Sequence, residues 1–260
     1  MNSFISHGAE VTLFSYDDVP SAPKNVIIRD AAAIMPQSAV FEAHGGFEHF
    51  SDLFRYELLN RVGGWWIDTD VVCNTFTVPP SDVAFARESR TGSFAPGQMR
   101  FPKGHEVLRL ATKQADGLRM GDWGATGPRL LTTLIEQTGN EHRQWQTNDF
   151  YPICWVESAK YLLPEYRDEM QDRTRDAMFI HIYTSRFRRR LGFDQKRFLP
   201  PKGSFLEHLY FRFGIGPTVN NLTPIDEALL RRYIYTFMQE DWIQQALLQE
   251  GLSFEMNASD

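Results

Sequence analysis

The sequence predicts an α/β fold, with a mostly parallel central sheet flanked by helices and a mostly helical lobe at the C-terminal end. Three observations lead there. Short runs rich in β-branched and aromatic residues recur along the 260 residues. Stretches with helical periodicity separate them. The two kinds alternate, as strand–helix–strand units do, and such sheets bind ligands outside the carboxyl ends of their strands. A single domain is expected, with an α/β core over 1–190 and the helical lobe over 191–260.

In chain order, Val11 to Tyr16 follows Gly8 and precedes Asp17-Asp18, which reads as a strand entered from a helix end and left by a turn. Val26-Ile27-Ile28 is a second short strand. Phe54, Leu58 and Val62 recur at helical spacing, with Ser51 placed as an N-cap and Gly63-Gly64 as the stop. Trp65-Trp66-Ile67 and Val71-Val72 are β-favouring runs interrupted by Asp68-Thr69-Asp70. Val83 to Ala86 is a further strand, and Glu88 to Glu106, rich in Gly, Pro and Ser, reads as a functional loop or lid. Gly127-Pro128 opens a helix, Met178 to Tyr183 is a late strand, and Thr223-Pro224 with Asp226-Glu227 opens a helix running towards Leu248.

Composition narrows the function. With 27 Lys+Arg against 33 Asp+Glu the formal charge is −6, which argues against a general nucleic-acid binder, whose affinity rests on neutralising phosphates. Cys73 and Cys154 are too few for a disulfide framework and fit a reducing compartment. Met1 to Phe14 lacks the basic start and apolar run of a secretory leader. No stretch approaches the ~20 apolar residues of a membrane span, so any membrane contact is expected to be peripheral, and the expected location, from the cysteine usage, is cytoplasmic.

Asp68 and Asp70 are the candidate catalytic and metal-binding pair. With 17 Asp in the chain, about one D-x-D arises by chance, so the setting carries the argument. Residues i and i+2 of a strand share a face, where each carboxylate raises the cost of ionising the other until a cation removes it. Oxygen ligands suit Mg²⁺ or Mn²⁺, ions that keep positions open for substrate phosphates. The plainer reading is a solvated turn that ends a strand. Asp52 and Arg55, three apart on the preceding helix, are either a surface ion pair or a hydrogen-bonding set for a polyhydroxylated ligand. The run Arg186-Phe187-Arg188-Arg189-Arg190 reads as a solvated face, or as a peripheral contact with anionic lipid at the inner face of the plasma membrane.

The string from Ser51-Asp52-Leu53-Phe54-Arg55-Tyr56 to Gly63-Gly64-Trp65-Trp66-Ile67-Asp68-Thr69-Asp70 resembles the DxD-containing glycosyltransferases of family 32, which include capsular-polysaccharide transferases and mannosyl- and galactosyltransferases. A weaker likeness extends through Arg29-Asp30-Ala31, Pro102-Lys103-Gly104-His105, Trp123-Gly124-Ala125-Thr126-Gly127-Pro128 and His181. The resemblance implies a GT-A, Rossmann-like fold and a retaining, metal-dependent transferase. A hexosyl group would pass from a UDP- or GDP-sugar to a saccharide or lipid-linked saccharide acceptor, in surface or capsular polysaccharide synthesis.

By the same resemblance Asp68 and Asp70 hold the metal and diphosphate, and His181 completes the metal site. Asp52, Arg55, Tyr56 and Gly127 contact the substrate. The sequence departs from the family at Ala125, where a glutamate is common, with Asp122 as the nearby substitute, and at His181-Ile182-Tyr183-Thr184-Ser185. The usual first strand, which contacts the base, is expected to be missing. Two other classes compete: a metal-dependent phosphohydrolase, which normally needs more carboxylates or histidines, and a catalytically inactive saccharide-binding module.

Overall fold

The computed structural model describes residues 1–76, 81–90, 92–195, 197–214 and 222–256. The short helix α1 (Asn2–Ser6) ends at Gly8, whose φ of +79° turns the chain into β1 (Val11–Ser15). β1 pairs in parallel with β2 (Val26–Asp30), in register from Val11–Val26 to Ser15–Asp30. Helix α2 (Glu48–Val62) follows. It begins three residues before Ser51, so Ser51 is interior, and its hydroxyl accepts a hydrogen bond from Arg55 rather than capping the helix.

α2 is buried over most of its circumference, from His49 to Leu59, because cores lie on more than one side of it. Gly63 ends it as expected. A Cβ there would lie 2.6 Å from the Lys103 backbone nitrogen, so the glycine lets α2 sit against the Pro102–Gly104 turn. The next residues form β3 (Gly64–Ile67), and β4 (Val71–Cys73) resumes after the Asp68-Thr69-Asp70 turn.

The described strands do not form the mostly parallel central sheet that alternation predicts. They make three two-stranded ladders: β1–β2 is parallel, whereas β3 pairs antiparallel with β5 (Gln98–Phe101) and β4 antiparallel with β6 (Phe179–His181). The acidic turn is the reason, because it passes the chain from one partner to the other. Asp68 N–H donates to Gly97 O at 2.7 Å on one side, and Ile182 N–H donates to Asp70 O at 3.0 Å on the other.

Two other expectations change. Val83 to Ala86 is fully buried and extended, but it joins the β5 neighbourhood only through single bridges such as Ala84–Arg100. The presumed lid over 88–106, of which Thr91 lies outside the described residues, is largely core. It contains β5, and Phe94, Met99 and Phe101 are buried completely. Gly, Pro and Ser there lie between buried residues of the described chain.

Helix α3 (Glu106–Ala115) packs on α2 and on α4 (Leu130–Gln137). The Gly127-Pro128 start is a wide turn over Ala125–Arg129 that leads into α4. Then come α5 (Thr147–Phe150), α6 (Arg167–Thr174), β6 and α7 (Thr184–Arg190). The described residues after 191 carry α8 (Phe205–Arg212), α9 (Glu227–Met238) and α10 (Asp241–Glu250); residues 196, 215–221 and 257–260 of the expected lobe lie outside them. Asp226, not Thr223, caps α9, accepting from Leu229 N–H at 3.0 Å. The helix expected to reach Leu248 is two helices. One core cluster joins Phe4, Val71 and Phe179 to Phe237, Ile243 and Leu247.

Candidate active site

The turn between β3 and β4 places two carboxylates at the wall of a cavity of about 1720 Å³. Ordinary small-molecule sites occupy ~300–1,000 Å³, so this space exceeds what one such ligand fills. Asp68 and Asp70 keep 26% and 16% of their side-chain surface exposed and both line it. They do not lie in a strand. They nevertheless converge on His181, because the β4–β6 register pairs Val71 with His181. One ligand atom from each of Asp68, Asp70 and His181 lies within 4.8 Å of the others.

Each carboxylate has its own supports. Trp66 Nε1–H donates to Asp68 Oδ1 at 2.7 Å, and Arg55 lies 3.3 Å from the same oxygen. Asp70 Oδ2 accepts from Thr184 N–H at 2.9 Å and from the Thr184 hydroxyl at 3.1 Å, while His181 Nε2 is 3.3 Å from Asp70 Oδ1. These surroundings drive the two carboxyls apart. Burial raises Asp68, with Arg55 opposing and Asp70 reinforcing the rise. Burial alone would raise Asp70 too, but His181 and the two Thr184 hydrogen bonds hold it far below the usual carboxylate range. Burial likewise works against the His181 charge, yet Asp70 keeps the imidazole above its ordinary value.

Two further observations favour a divalent cation at this cluster. Two carboxylates and an imidazole are a donor set that Mn²⁺ and Mg²⁺ accept. Gly97 leaves the approach open: a Cβ there would sit 3.3 Å from both Asp68 Oδ2 and His181 Cε1 and 3.4 Å from the Tyr151 hydroxyl. Asp68, Asp70 and His181 would hold the ion.

On α2, Asp52 and Arg55 form a buried pair at 3.4 Å, not a surface one, and both line the cavity. The helix fixes their spacing, but distant residues fix their direction. The Thr126 hydroxyl donates to Asp52 Oδ2 at 2.8 Å, and a Cβ on Gly127 would come within 2.6 Å of that oxygen. Burial raises the Asp52 carboxyl, with Arg55 and Thr126 opposing. Burial also disfavours the Arg55 charge, but Asp68 and Asp52 outweigh it. Tyr56 stands behind this wall, fully buried, donating its hydroxyl to the carbonyls of Thr126 and Gly127 at 3.0 and 3.3 Å. Tyr56 and Gly127 thus shape the site from behind, and neither lines the cavity. Asp122 is exposed and does not line it either, so it takes no place left by Ala125.

The basic run after His181 does not form one face. Arg186 packs over Trp155 at 4.2 Å, Phe187 is buried in the core, and Arg189 pairs with Glu48 at 2.6 Å. Arg186, Arg189 and Arg190 line the cavity, whereas Arg188 is exposed away from it. Burial holds the Arg186 guanidinium down to about 10. Among the described residues no helix is long and apolar enough to cross a membrane.

Sequence reasoning missed Thr184, Glu88, Trp155 and Trp242. Thr184 follows the His181 strand closely enough to have been noted. Glu88 lies two residues past the buried run Val83–Ala86, lines the cavity, and has its carboxyl raised by burial against the pull of His181 and Arg186.

Fold and site together define an α/β protein with an acidic–histidine cluster in a large cavity. Residues 41–85, which span α2 and the acidic turn, match the family model of capsular polysaccharide synthesis proteins. Among solved structures, one described as "PaToxG Glycosyltransferase" is similar at 17% identity and a TM-score of 0.35, over 44% of this chain. The match spans 47% of that structure, less than half its length. No curated protein matches the chain.

Proposed function

We propose that the chain is a retaining, metal-dependent glycosyltransferase. It moves a hexosyl group from a nucleoside-diphosphate sugar, with UDP or GDP as the nucleotide, to a saccharide or lipid-linked saccharide acceptor. The observation that carries this reading is the convergence of Asp68, Asp70 and His181 in a cavity that also holds the Asp52–Arg55 pair. The capsular polysaccharide synthesis match over 41–85 supports placing the activity in surface or capsular polysaccharide assembly, at the cytoplasmic face of the membrane.

In this reading Asp68, Asp70 and His181 would hold Mn²⁺ or Mg²⁺, which would supply Lewis-acid stabilisation of the charge that grows on the departing diphosphate. Asp68 and Asp70 each retain exposed surface from which to hold it. Thr184 fixes the Asp70 carboxylate in orientation, so little reorganisation is needed during reaction. Arg55, with several N–H donors, and Asp52, an acceptor, bind hydroxyls of the donor sugar from the α2 side. No carboxylate is assigned as a nucleophile: the acceptor hydroxyl oxygen would bond to the sugar C1 on the face from which the diphosphate departs, as the C1–O bond to the diphosphate breaks and the departing diphosphate oxygen takes the hydroxyl proton.

A thermal-shift screen of UDP- and GDP-sugars with and without Mn²⁺ tests the proposal, since a ligand bound only by the native state raises its apparent stability. One nucleotide sugar should stabilise the chain in a metal-dependent way. Asp70→Asn should remove that response and lower transfer by about 10²–10³-fold with the fold intact. A folded Asp70→Asn chain with near-normal metal-dependent transfer would reject the assignment.

A further inference from the structure

The wall of the cavity formed by α7 and α10 has a chemistry that the donor half of the reaction does not use. Trp242, on the first turn of α10, is 41% exposed and lines the cavity. Its indole stacks against Trp155, with centroids 5.9 Å apart and planes 18° apart, while its N–H is taken up by Glu240. Arg186 lies 4.2 Å over the Trp155 ring and Arg190 6.0 Å from that of Trp242. The aromatic pair is therefore held flat by its neighbours, with an indole presented to the cavity.

Glu88 lines the same cavity as Trp242 and as Asp68, Asp70 and His181, and the charges of His181 and Arg186, the latter packed over Trp155, favour its carboxylate form against burial. It lines the cavity, yet among the described residues no hydrogen bond or ion pair reaches its carboxylate. A poorly exposed acceptor left unmatched by the protein is a costly group to maintain. Its oxygens suit a ligand that brings hydroxyl donors.

We propose that Trp242, Glu88 and Arg190 form the acceptor subsite, which seats a pyranose ring with its C–H face on the Trp242 indole and its hydroxyls on Glu88 and Arg190. The assignment rests on the glycosyltransferase reading above and supplies a place for the second substrate, in a cavity that exceeds what one ordinary ligand fills. A saccharide matches all three groups: it has an apolar face for an exposed indole and a rim of hydroxyls for a carboxylate and a guanidinium. A nucleobase would stack but would leave Glu88 unmatched, and an acyl chain would bury Glu88 and Arg190 against hydrocarbon. The subsite and the acidic cluster open into the same cavity.

The test uses the full chain with Mn²⁺ and UDP or GDP present. Saturation-transfer NMR reads the binding of methyl glycosides of glucose, galactose, mannose, N-acetylglucosamine and glucuronic acid. At least one glycoside should bind, and Trp242→Ala and Glu88→Gln should each weaken it about tenfold. Circular dichroism and melting confirm that the variants fold, and Trp242→Phe, which keeps an aromatic face, should retain most of the binding. Metal-dependent stabilisation by the nucleotide, measured separately on Trp242→Ala, should match the parent chain.

If no glycoside binds, or if binding survives both substitutions in folded protein, the subsite is wrong. Loss of nucleoside binding in Trp242→Ala would assign the wall to the base and also overturn it. If glycoside binding depends on Trp242 and Glu88 while no nucleotide or metal binds, the saccharide site stands, but its role as an acceptor subsite falls with the transferase reading.

Discussion

Replacing Arg55 with Met keeps most of the side-chain volume and removes the charge that two buried carboxylates share. In the native chain Arg55 lies 3.4 Å from Asp52 and 3.3 Å from Asp68, and it bonds the Ser51 carbonyl and hydroxyl at 3.3 and 3.1 Å. Asp52, 6% exposed, would keep only Thr126; Asp68 would keep Trp66 and partial solvent contact. The loss is therefore dominated by Asp52. Breaking one buried pair costs about 3–5 kcal/mol. For a chain of this size that lowers Tm by roughly 6–20 °C.

The pH dependence identifies the cause. Asp52 is already raised by burial, and without Arg55 it is raised further. A carboxyl whose folded value lies above its unfolded value binds more protons when folded. The deficit of Arg55→Met should then grow as pH rises above the ordinary carboxylate range and shrink as pH falls into it. Melting curves at about pH 7.5 and about pH 5 read this directly. Adding Asp52→Asn should recover much of the loss by removing the stranded charge. A melting point within about 2 °C of the parent at neutral pH, or a deficit independent of both pH and Asp52, would refute the reasoning.

Gly97→Ala pushes a methyl group to within 3.3 Å of both Asp68 and His181; Mn²⁺ affinity by calorimetry should fall about 10–100-fold, with Tm little changed. Unaltered affinity would show that the cluster does not hold the ion. Glu157, 1% exposed, meets Lys160 at 2.9 Å and Arg173 at 2.8 Å. Burial alone would raise its carboxyl, but Arg173 and Lys160 hold it below the usual range. Its stabilisation is present above the unfolded carboxylate value and is lost as pH falls through the folded one. Glu157→Gln should cost about 3–5 kcal/mol at neutral pH and flatten the acid side of the Tm–pH curve; an unchanged curve would locate acid sensitivity elsewhere. Gly127→Ala directs a Cβ against Asp52, and either Asp52 or the Thr126 contact must yield, at about 1–3 kcal/mol of overpacking, read by urea unfolding.

The segment from α2 through the acidic turn was legible because its signals are local. Helical spacing, a paired-glycine stop and aromatic flanks set the elements, and helix geometry alone put Asp52 and Arg55 on one side. The Ser51 cap failed because burial on several sides lets α2 extend past any cap signal. The stretch over 88–106 was legible as a segment that reaches the site, through Glu88 and Gly97, but not as one that carries core, because Gly, Pro and Ser report turn chemistry whereas burial depends on what packs against the turns, here Phe94, Met99 and Phe101 with α3 and α4.

By itself, then, the sequence determined the succession β1, β2, α2, β3 and β4, the acidic pair and the charged residues of α2, since each follows from residues within a turn or two of one another. The tertiary structure decided the rest. The β4–β6 register brought His181 to Asp70 from far along the chain, Thr126 and Gly127 aimed Asp52, and α7 and α10 brought Arg186 and Trp242 onto Trp155 in the wall of the cavity that Glu88 also lines. Strand partners and cavity walls depend on which distant surfaces bury each other best, and no local periodicity encodes that choice.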